Sequence, residues 1–375
     1  MADNYIIHSD QLEKFSYPSE CPFNVSRAGK VKELLSSLCM YTDDNAMEVP
    51  PVEASREVLE KVHSPQYLDE LKRAGDGHFD QSMLYMGLGT GDCPVFKGMY
   101  DYSVLASGAT VTGAEMILSG QAKVAFNPSG GFHHAHYDRA AGFCYINDVA
   151  MGCTTLAEAG KKVLFLDVDV HHTDGVQEVF YDRSDVMTVS LHQDGHTLFP
   201  GTGFPKDIGI GNGKGYSVNV PLPAGTYDGA YMKVINSIVT PLIHAYGPDV
   251  IAVELGADGL VGDPLAGLNL SNNVYGDIIA KLMAFGKPIL AVGGGGYNIE
   301  NTVRAWSLCW TALCGKDNPH ECMGLGGVMM ESTEWYGGLR DRDVYPNEAT
   351  REKVDPIIEN VIQDVKKNIF SYHGI

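Results

Sequence analysis

The feature that most constrains this chain is an alternation of short, continuously apolar runs with longer stretches of helical periodicity. The apolar runs cover residues 123–127, 163–170, 186–191, 216–222, 250–255 and 288–292. Their apolar residues are continuous rather than alternating, as expected for strands covered on both faces. Helix candidates lie between them at 148–159, 176–181, 228–246, 273–285 and 299–314. Alternation of this kind builds a parallel sheet with helices on both sides. The first hundred residues read as helical over 28–38 and 56–73 and are expected to supply loops more than sheet. A polar-faced helix is expected over 349–370. No repeat, low-complexity tract or Pro/Ser linker divides the chain, so residues 1–375 are expected to form a single domain, although two or three would fit the length.

In an open parallel sheet, ligands gather beyond the carboxyl ends of the strands. Run 123–127 is followed by Pro128-Ser129-Gly130-Gly131-Phe132-His133-His134, and Leu166 by Asp167-Val168-Asp169-Val170-His171-His172-Thr173-Asp174. Ser190-Leu191-His192 closes the next run, Gly256-Ala257-Asp258 follows 250–255, and 288–292 leads into Gly293-Gly294-Gly295-Gly296-Tyr297. Five strands thus send His, Asp or Tyr to one rim. Asp167, Asp169 and His171 stand at alternate positions, which share one side of an extended chain. Carboxylates buried at a strand end are costly unless a cation or hydrogen bonds compensate them. An Asp and a His two residues apart can chelate one ion, and Asp258 can add a ligand from another strand, the open three-ligand pattern of a catalytic zinc. For a lone Asp-x-His, strand-end caps and a satisfied core imidazole are the better reading; the agreement of five strand ends favours the metal.

His133-His134 lies in a Gly-flanked turn, from which an imidazole can reach water beside an ion. Asp167 and Asp174 are available as orienting acceptors. An ordinary surface turn is the alternative. The glycine run 293–296 lacks both G-x-G-x-x-G and the P-loop lysine, so a hinge carrying Tyr297 into the site is favoured over a phosphate cradle. Plain packing is the other reading of Tyr297.

Charge narrows the partners. Lys and Arg number 27 against 47 Asp and Glu, a net −20, which argues against nucleic acid or an anionic membrane and weakly favours a cationic substrate. No apolar run approaches the roughly 20 residues that span a bilayer. The first residues lack a basic-then-apolar signal, and no Lys/Arg cluster points to the nucleus. Eight cysteines, close only at Cys309/Cys314, read as reduced thiols. A cytoplasmic chain is expected.

These motifs resemble the zinc-dependent histone deacetylase superfamily, most closely class I enzymes and the bacterial acetoin-utilisation (AcuC-type) branch. The matching text runs from Arg27 to about Trp310 and also takes in Gly91-Asp92-Cys93-Pro94, Gly142-Phe143-Cys144-Tyr145-Ile146-Asn147, Phe199-Pro200-Gly201-Thr202-Gly203 and Gly262-Asp263-Pro264-Leu265. The resemblance implies an arginase-like open α/β fold with an eight-stranded parallel sheet. It implies zinc, with iron(II) as an option, on Asp169, His171 and Asp258. It makes His134, oriented by Asp174, the general base and later acid, and His133, paired with Asp167, an electrostatic partner. Tyr297 would stabilise the oxyanion. Phe143 and Phe199 would wall an acyl-lysine tunnel, Asp92 would grip the substrate backbone, Leu265 would add a rim contact, and Arg27 would line a product-release channel. A structural potassium ion is implied at the main chain of Asp167, Asp169, His171 and Leu191 with the Ser190 hydroxyl, and a second at Phe180, Arg183, Val186 and Tyr216.

The implied activity is removal of acetyl or other acyl groups from lysine side chains of a protein or peptide. The same chemistry on an acetylpolyamine or other small amide is the alternative. A two-manganese ureohydrolase shares the fold, but its second-metal ligands are not evident. A metal-stabilised scaffold is disfavoured by the presence of His134 and Tyr297. Thr173, Gly259 and His136 depart from the usual pattern, His136 standing where class I enzymes usually carry lysine. These departures leave rim shape and acyl preference open, as the sequence leaves physiological substrate and oligomeric state.

Overall fold

The computed structural model describes residues 2–316, 339–342 and 345–375. Within them, eight strands form one all-parallel sheet. They are β1 (Asn4–Ile7), β2 (Ala46–Val49), β3 (Val124–Asn127), β4 (Val163–Asp167), β5 (Val186–Gln193), β6 (Ser217–Leu222), β7 (Val250–Glu254) and β8 (Ile289–Val292). Their spatial order is 2-1-3-8-7-4-5-6. The helices are α1 (Arg27–Ser37), α2 (Arg56–Leu59), α3 (Pro65–Gly75), α4 (Met99–Leu118), α5 (Asp148–Glu158) and α6 (Asp174–Phe180). They continue with α7 (Asp228–Val234), α8 (Thr240–Tyr246), α9 (Asn273–Met283), α10 (Ile299–Leu313) and α11 (Glu348–Ile369).

Side chains alternate across a strand, so each central strand feeds two cores. In β4, Leu164 and Leu166 pack into the layer that holds α1 and α7 to α11, while Val163 and Phe165 pack into the layer of α3 to α6. Both faces are covered, which is why the strands read as unbroken apolar runs. β3 and β4 follow one another in sequence but are separated in space by β8 and β7. That gap is a topological switch point, where loops diverge and leave a crevice at the strand ends.

The N-terminal hundred residues do supply loops more than sheet, but they also contribute two strands that the apolar runs did not mark. β1 and β2 are four residues each, and β2 carries Glu48 on an edge that needs no apolar run. The expected helix over 56–73 is two helices, because Ser64-Pro65 restarts it: the Ser64 side chain accepts the Tyr67 N–H, and Pro65 occupies the first turn. The span 228–246 is helical but passes through a π-helical turn at Ile235–Val239, just before Pro241, whose nitrogen cannot donate. Helix α4 was not anticipated. It is buried nearly all round, so its sequence shows no polar face to mark a period. No helix of the described residues is long and apolar enough to cross a membrane.

Candidate functional site

Strand β4 stops at Asp167 instead of running to Val170. Asp167 Oδ1 accepts the N–H of Asp169 (2.8 Å), and Asp169 Oδ1 accepts the N–H of His171 (2.9 Å). These successive side-chain turns replace the extended chain the alternate spacing assumed. Asp169 and His171 consequently converge, whereas Asp167 turns away to His133. His171 Nδ1 lies 3.1 Å from both Asp169 Oδ1 and Asp258 Oδ2. Asp258 follows β7 through Gly256-Ala257, and its Oδ1 accepts the Val170 N–H (2.9 Å).

All three residues are buried, with donor atoms within 4.8 Å of one another. Burial, then the charge of Asp169, pushes the Asp258 carboxyl up to about 7. Asp169 stays ionised despite its burial because His133 and His171 hold its carboxyl far below the ordinary range. Burial also opposes charge on His171, yet Asp258 and Asp169 carry its imidazole up to about 10. Two crowded carboxylates and an imidazole in such a field ask for a cation, and this oxygen–nitrogen set suits zinc or another first-row divalent ion. The adjoining glycines leave it room. A Cβ on Gly295 would stand 2.0 Å from Asp258 Oδ2 and 2.8 Å from Asp169 Oδ2, and one on Gly256 2.0 Å from Asp169 Oδ2.

The histidine pair is set by the loop after β3. Asp148, buried at the start of α5, takes the N–H groups of Gly131 and Phe132 on its carboxylate. Asn147 donates to the carbonyls of His133 and Ala135 (3.2 and 2.9 Å) and so clamps the peptides around the pair. A Cβ on Gly131, at φ +96°, would lie 2.4 Å from the Gly294 nitrogen, so this loop packs against the glycine run. His133 Nδ1 sits 2.8 Å from Asp167 Oδ2, His134 Nδ1 2.7 Å from Asp174 Oδ1, and the two Nε2 atoms 3.0 Å apart. The two carboxylates take one proton from each Nδ1, so at most one proton can lie between the Nε2 atoms. Burial resists charge on His133, but Asp167 and Asp169 raise it to about 9. Burial and the neighbouring His133 charge lower His134 to about 4, against the pull of Asp174. The opposite shifts favour the charge on His133 and leave His134 as the base of the pair.

Glu254, at the end of β7, escaped the sequence reading. It is fully buried and pairs in register with Asp167. Its Oε1 lies 3.2 Å from His133 Nδ1, and neither oxygen has a hydrogen-bond partner. Burial, then Asp167 and Asp169, pushes its carboxyl well above the usual carboxylate range. An acid inside an apolar run was its only signal.

Tyr297 follows the glycine run, and its N–H donates to Asp263 Oδ2 (2.8 Å). Burial, then Asp258 and Asp169, holds its phenol protonated. Its ring lies 5.7 Å from that of Phe143, while the Phe199 ring lies 5.0 Å from His134 and 6.3 Å from His171. Phe143 has φ +65°, held there by Asp92, whose carbonyl accepts the Phe143 N–H and whose Oδ2 accepts that of Gly142. Leu265 is half-exposed, its N–H donating to Asp263 Oδ1 (2.9 Å). Arg27 is buried with its guanidinium over Phe23 and Trp306, and it donates to the Gly296 carbonyl (3.0 Å).

A histone deacetylase domain model matches residues 21–313. Histone deacetylase 8 of Xenopus tropicalis is 39% identical over 292 residues, covering 77% of this chain and 78% of that protein. The chain belongs to the histone deacetylase family. The acetoin utilization protein AcuC of Bacillus subtilis is likewise 39% identical, over 330 residues, 86% of this chain and 84% of the relative. A histone deacetylase homologue from Aquifex aeolicus superimposes with a TM-score of 0.83 at 30% identity, covering 96% of this chain and all of the other. A homologue solved with the ligand SAHA gives 0.86, also at 30% identity, covering 98% of this chain and all of that one.

This deacetylase-family chain is thus a hydrolase on the shared eight-stranded framework. Around the implied potassium positions, Ser190 pairs in register with Asp167, and its hydroxyl meets His192 Nδ1 at 2.8 Å. At the second, the Arg183 guanidinium is committed to Asp185 and lies over the Phe180 ring, while the Tyr216 carbonyl accepts the Thr188 N–H beside Val186.

Proposed function

We propose that this chain, as one catalytic unit over residues 1–375, removes acetyl or other acyl groups from lysine side chains of proteins or peptides by metal-assisted hydrolysis. The observation that carries this reading is the pair of Nε2 atoms 3.0 Å apart, each imidazole backed through Nδ1 by its own carboxylate, beside the Asp169–His171–Asp258 cluster. Zinc, or iron(II), held by those three ligands would polarise the acyl carbonyl and acidify water.

The chain's own groups do the rest. His134 takes the proton of the attacking water at Nε2, while Asp174 fixes its tautomer through Nδ1. His133, charged and braced by Asp167, donates toward the developing negative charge. The Tyr297 phenol, kept protonated, donates to the tetrahedral oxyanion. His134 then passes its proton to the departing lysine amine. Phe143 and Phe199 offer apolar walls for the lysine's four-carbon stem. Asp92 shapes this rim by holding Gly142 and Phe143, with its grip on substrate backbone a second part of the proposal, and Leu265 adds an apolar contact. Arg27, below, would escort the carboxylate product. Potassium beside the paired strands β4 and β5, at Asp167, Ser190 and Leu191, and at Phe180, Arg183, Val186 and Tyr216, would stiffen the frame. The free cysteines of the described residues fit a reducing, cytoplasmic setting.

The test is a panel of one peptide carrying acetyl-, longer-acyl- or lactyl-lysine, with acetylputrescine alongside, given to zinc-loaded protein. Release of the acid from at least one peptide is expected, in preference to the polyamine. Zinc-loaded protein inert on every peptide rejects the reading, and turnover of the polyamine alone transfers it to small amides.

A further inference from the structure

His136 follows the catalytic pair by two residues and is buried, 6% exposed as a residue. Its Nε2 lies 3.3 Å from Asp174 Oδ2, and its Nδ1 forms a short hydrogen bond with Glu178 Oε2. Asp174 and Glu178 are residues i and i+4 of α6, one above the other on the same face. The imidazole is therefore clamped between two carboxylates of one helix turn. Its backbone is pinned as well: the His136 carbonyl accepts from His63 Nδ1 (2.8 Å), and its N–H donates to the Arg139 carbonyl (2.9 Å). His63 is fixed in turn, its Nε2 accepting the Asn147 N–H (2.9 Å).

We propose that His136 is a positioning residue for the His134–Asp174 dyad, closing the second oxygen of Asp174 and tying it through Glu178 to the outer turn of α6. This rests on the reading of His134 as the base. Asp174 Oδ1 takes both His134 Nδ1 and the Gly175 N–H (3.0 Å), so the carboxylate plane is set only when Oδ2 is also held. Every charged group near the ring bears on its state. Asp174 and Glu178 favour a doubly protonated ring, whereas the exposed Arg139 guanidinium, 3.0 Å from Nε2, favours a neutral one, and buried His63 is uncharged. Two carboxylates outweigh one solvated guanidinium: although burial works against it, their hydrogen bonds raise His136 to about 9. A cation there also keeps Asp174 ionised. Partners that orient metal ligands change activity by about 10- to 100-fold when removed, and the low end of that range is expected for a partner that orients a base.

The experiment compares wild type, His136→Ala and His136→Lys, all zinc-loaded and checked for folding, on a deacylated peptide. His136→Ala should lose about tenfold in kcat with KM and zinc content unchanged, and His136→Lys, which restores a cation, should recover most of it. Equal kcat in folded His136→Ala, or a loss that lysine does not reverse, overturns the proposal. Histidine 15N spectra give a readout that needs no turnover. Two protonated nitrogens on the His136 ring at about pH 7 are expected, and a neutral ring overturns the proposal even if the wild type deacylates lysine. A wild type inert on all peptides defeats the functional reading, and the spectra still decide the clamp.

Discussion

His133 and His134 are neighbours in sequence yet lie on opposite sides of neutrality, because each faces a different balance of burial and carboxylate. The residues alone show two imidazoles and two aspartates without their pairing; the resemblance implies His133 with Asp167 and His134 with Asp174, and the folded distances bring those same pairs together. Tyr297 has the clearest separable role in the proposal, since its phenol is assigned to the oxyanion and it is not among the metal's candidate ligands. Tyr297→Phe should keep zinc content and lower kcat by about a hundredfold, measured by acetate release alongside metal analysis; an unchanged rate removes it from the oxyanion. Glu254 makes a prediction about stability. Its folded carboxyl titrates above its unfolded value, so the folded state binds the proton more tightly, and stability falls as pH rises above the usual glutamate range. Glu254→Gln keeps the shape without the charge. Its melting temperature should exceed wild type by roughly 2–4 °C at about pH 8, with the gap closing toward about pH 5. A gap that widens on acidification would show that Glu254 is compensated.

At the scale of elements, the site is held by turns rather than by regular structure. β4 delivers Asp167 and then ends in side-chain-capped turns that bring Asp169 and His171 together. The run after β8 passes so close to the carboxylates of Asp169 and Asp258, the candidate ligands, that residue 295 has no space for a side chain. Gly295→Ala should therefore leave the sheet intact by circular dichroism but weaken zinc affinity at least tenfold in a chelator competition. Wild-type affinity would mean the carboxylates can retreat. The motifs around these turns were legible in sequence as strand-end polar clusters. Asn147 was visible only as part of a resemblance and Asp148 only as the start of a helix; that they clamp the histidine loop was not, because a buried side chain bonding to distant backbone leaves no local pattern. His136 was visible as a departure, but its partners on α6 belong to the fold.

On the scale of the whole molecule, the two-sided sheet was legible because burying both faces forces unbroken apolar strands, as β4 and β7 show. β1 and β2 were not legible, being short and at one side of the sheet. α4 was not, since a helix buried all round loses the periodicity that reveals one. The switch point gathers residues from β3, β4, β7 and β8, spread along the chain from Asn127 to Val292, and the proposed chemistry rests on one ion at Asp169, His171 and Asp258. The direct test is to strip the protein of metal and follow acetate release from an acetyl-lysine peptide as zinc is added back. The rate should climb in proportion to zinc and level off at about one ion per chain. Full turnover by the stripped protein, or a rate that stays at zero through saturation, would contradict the account.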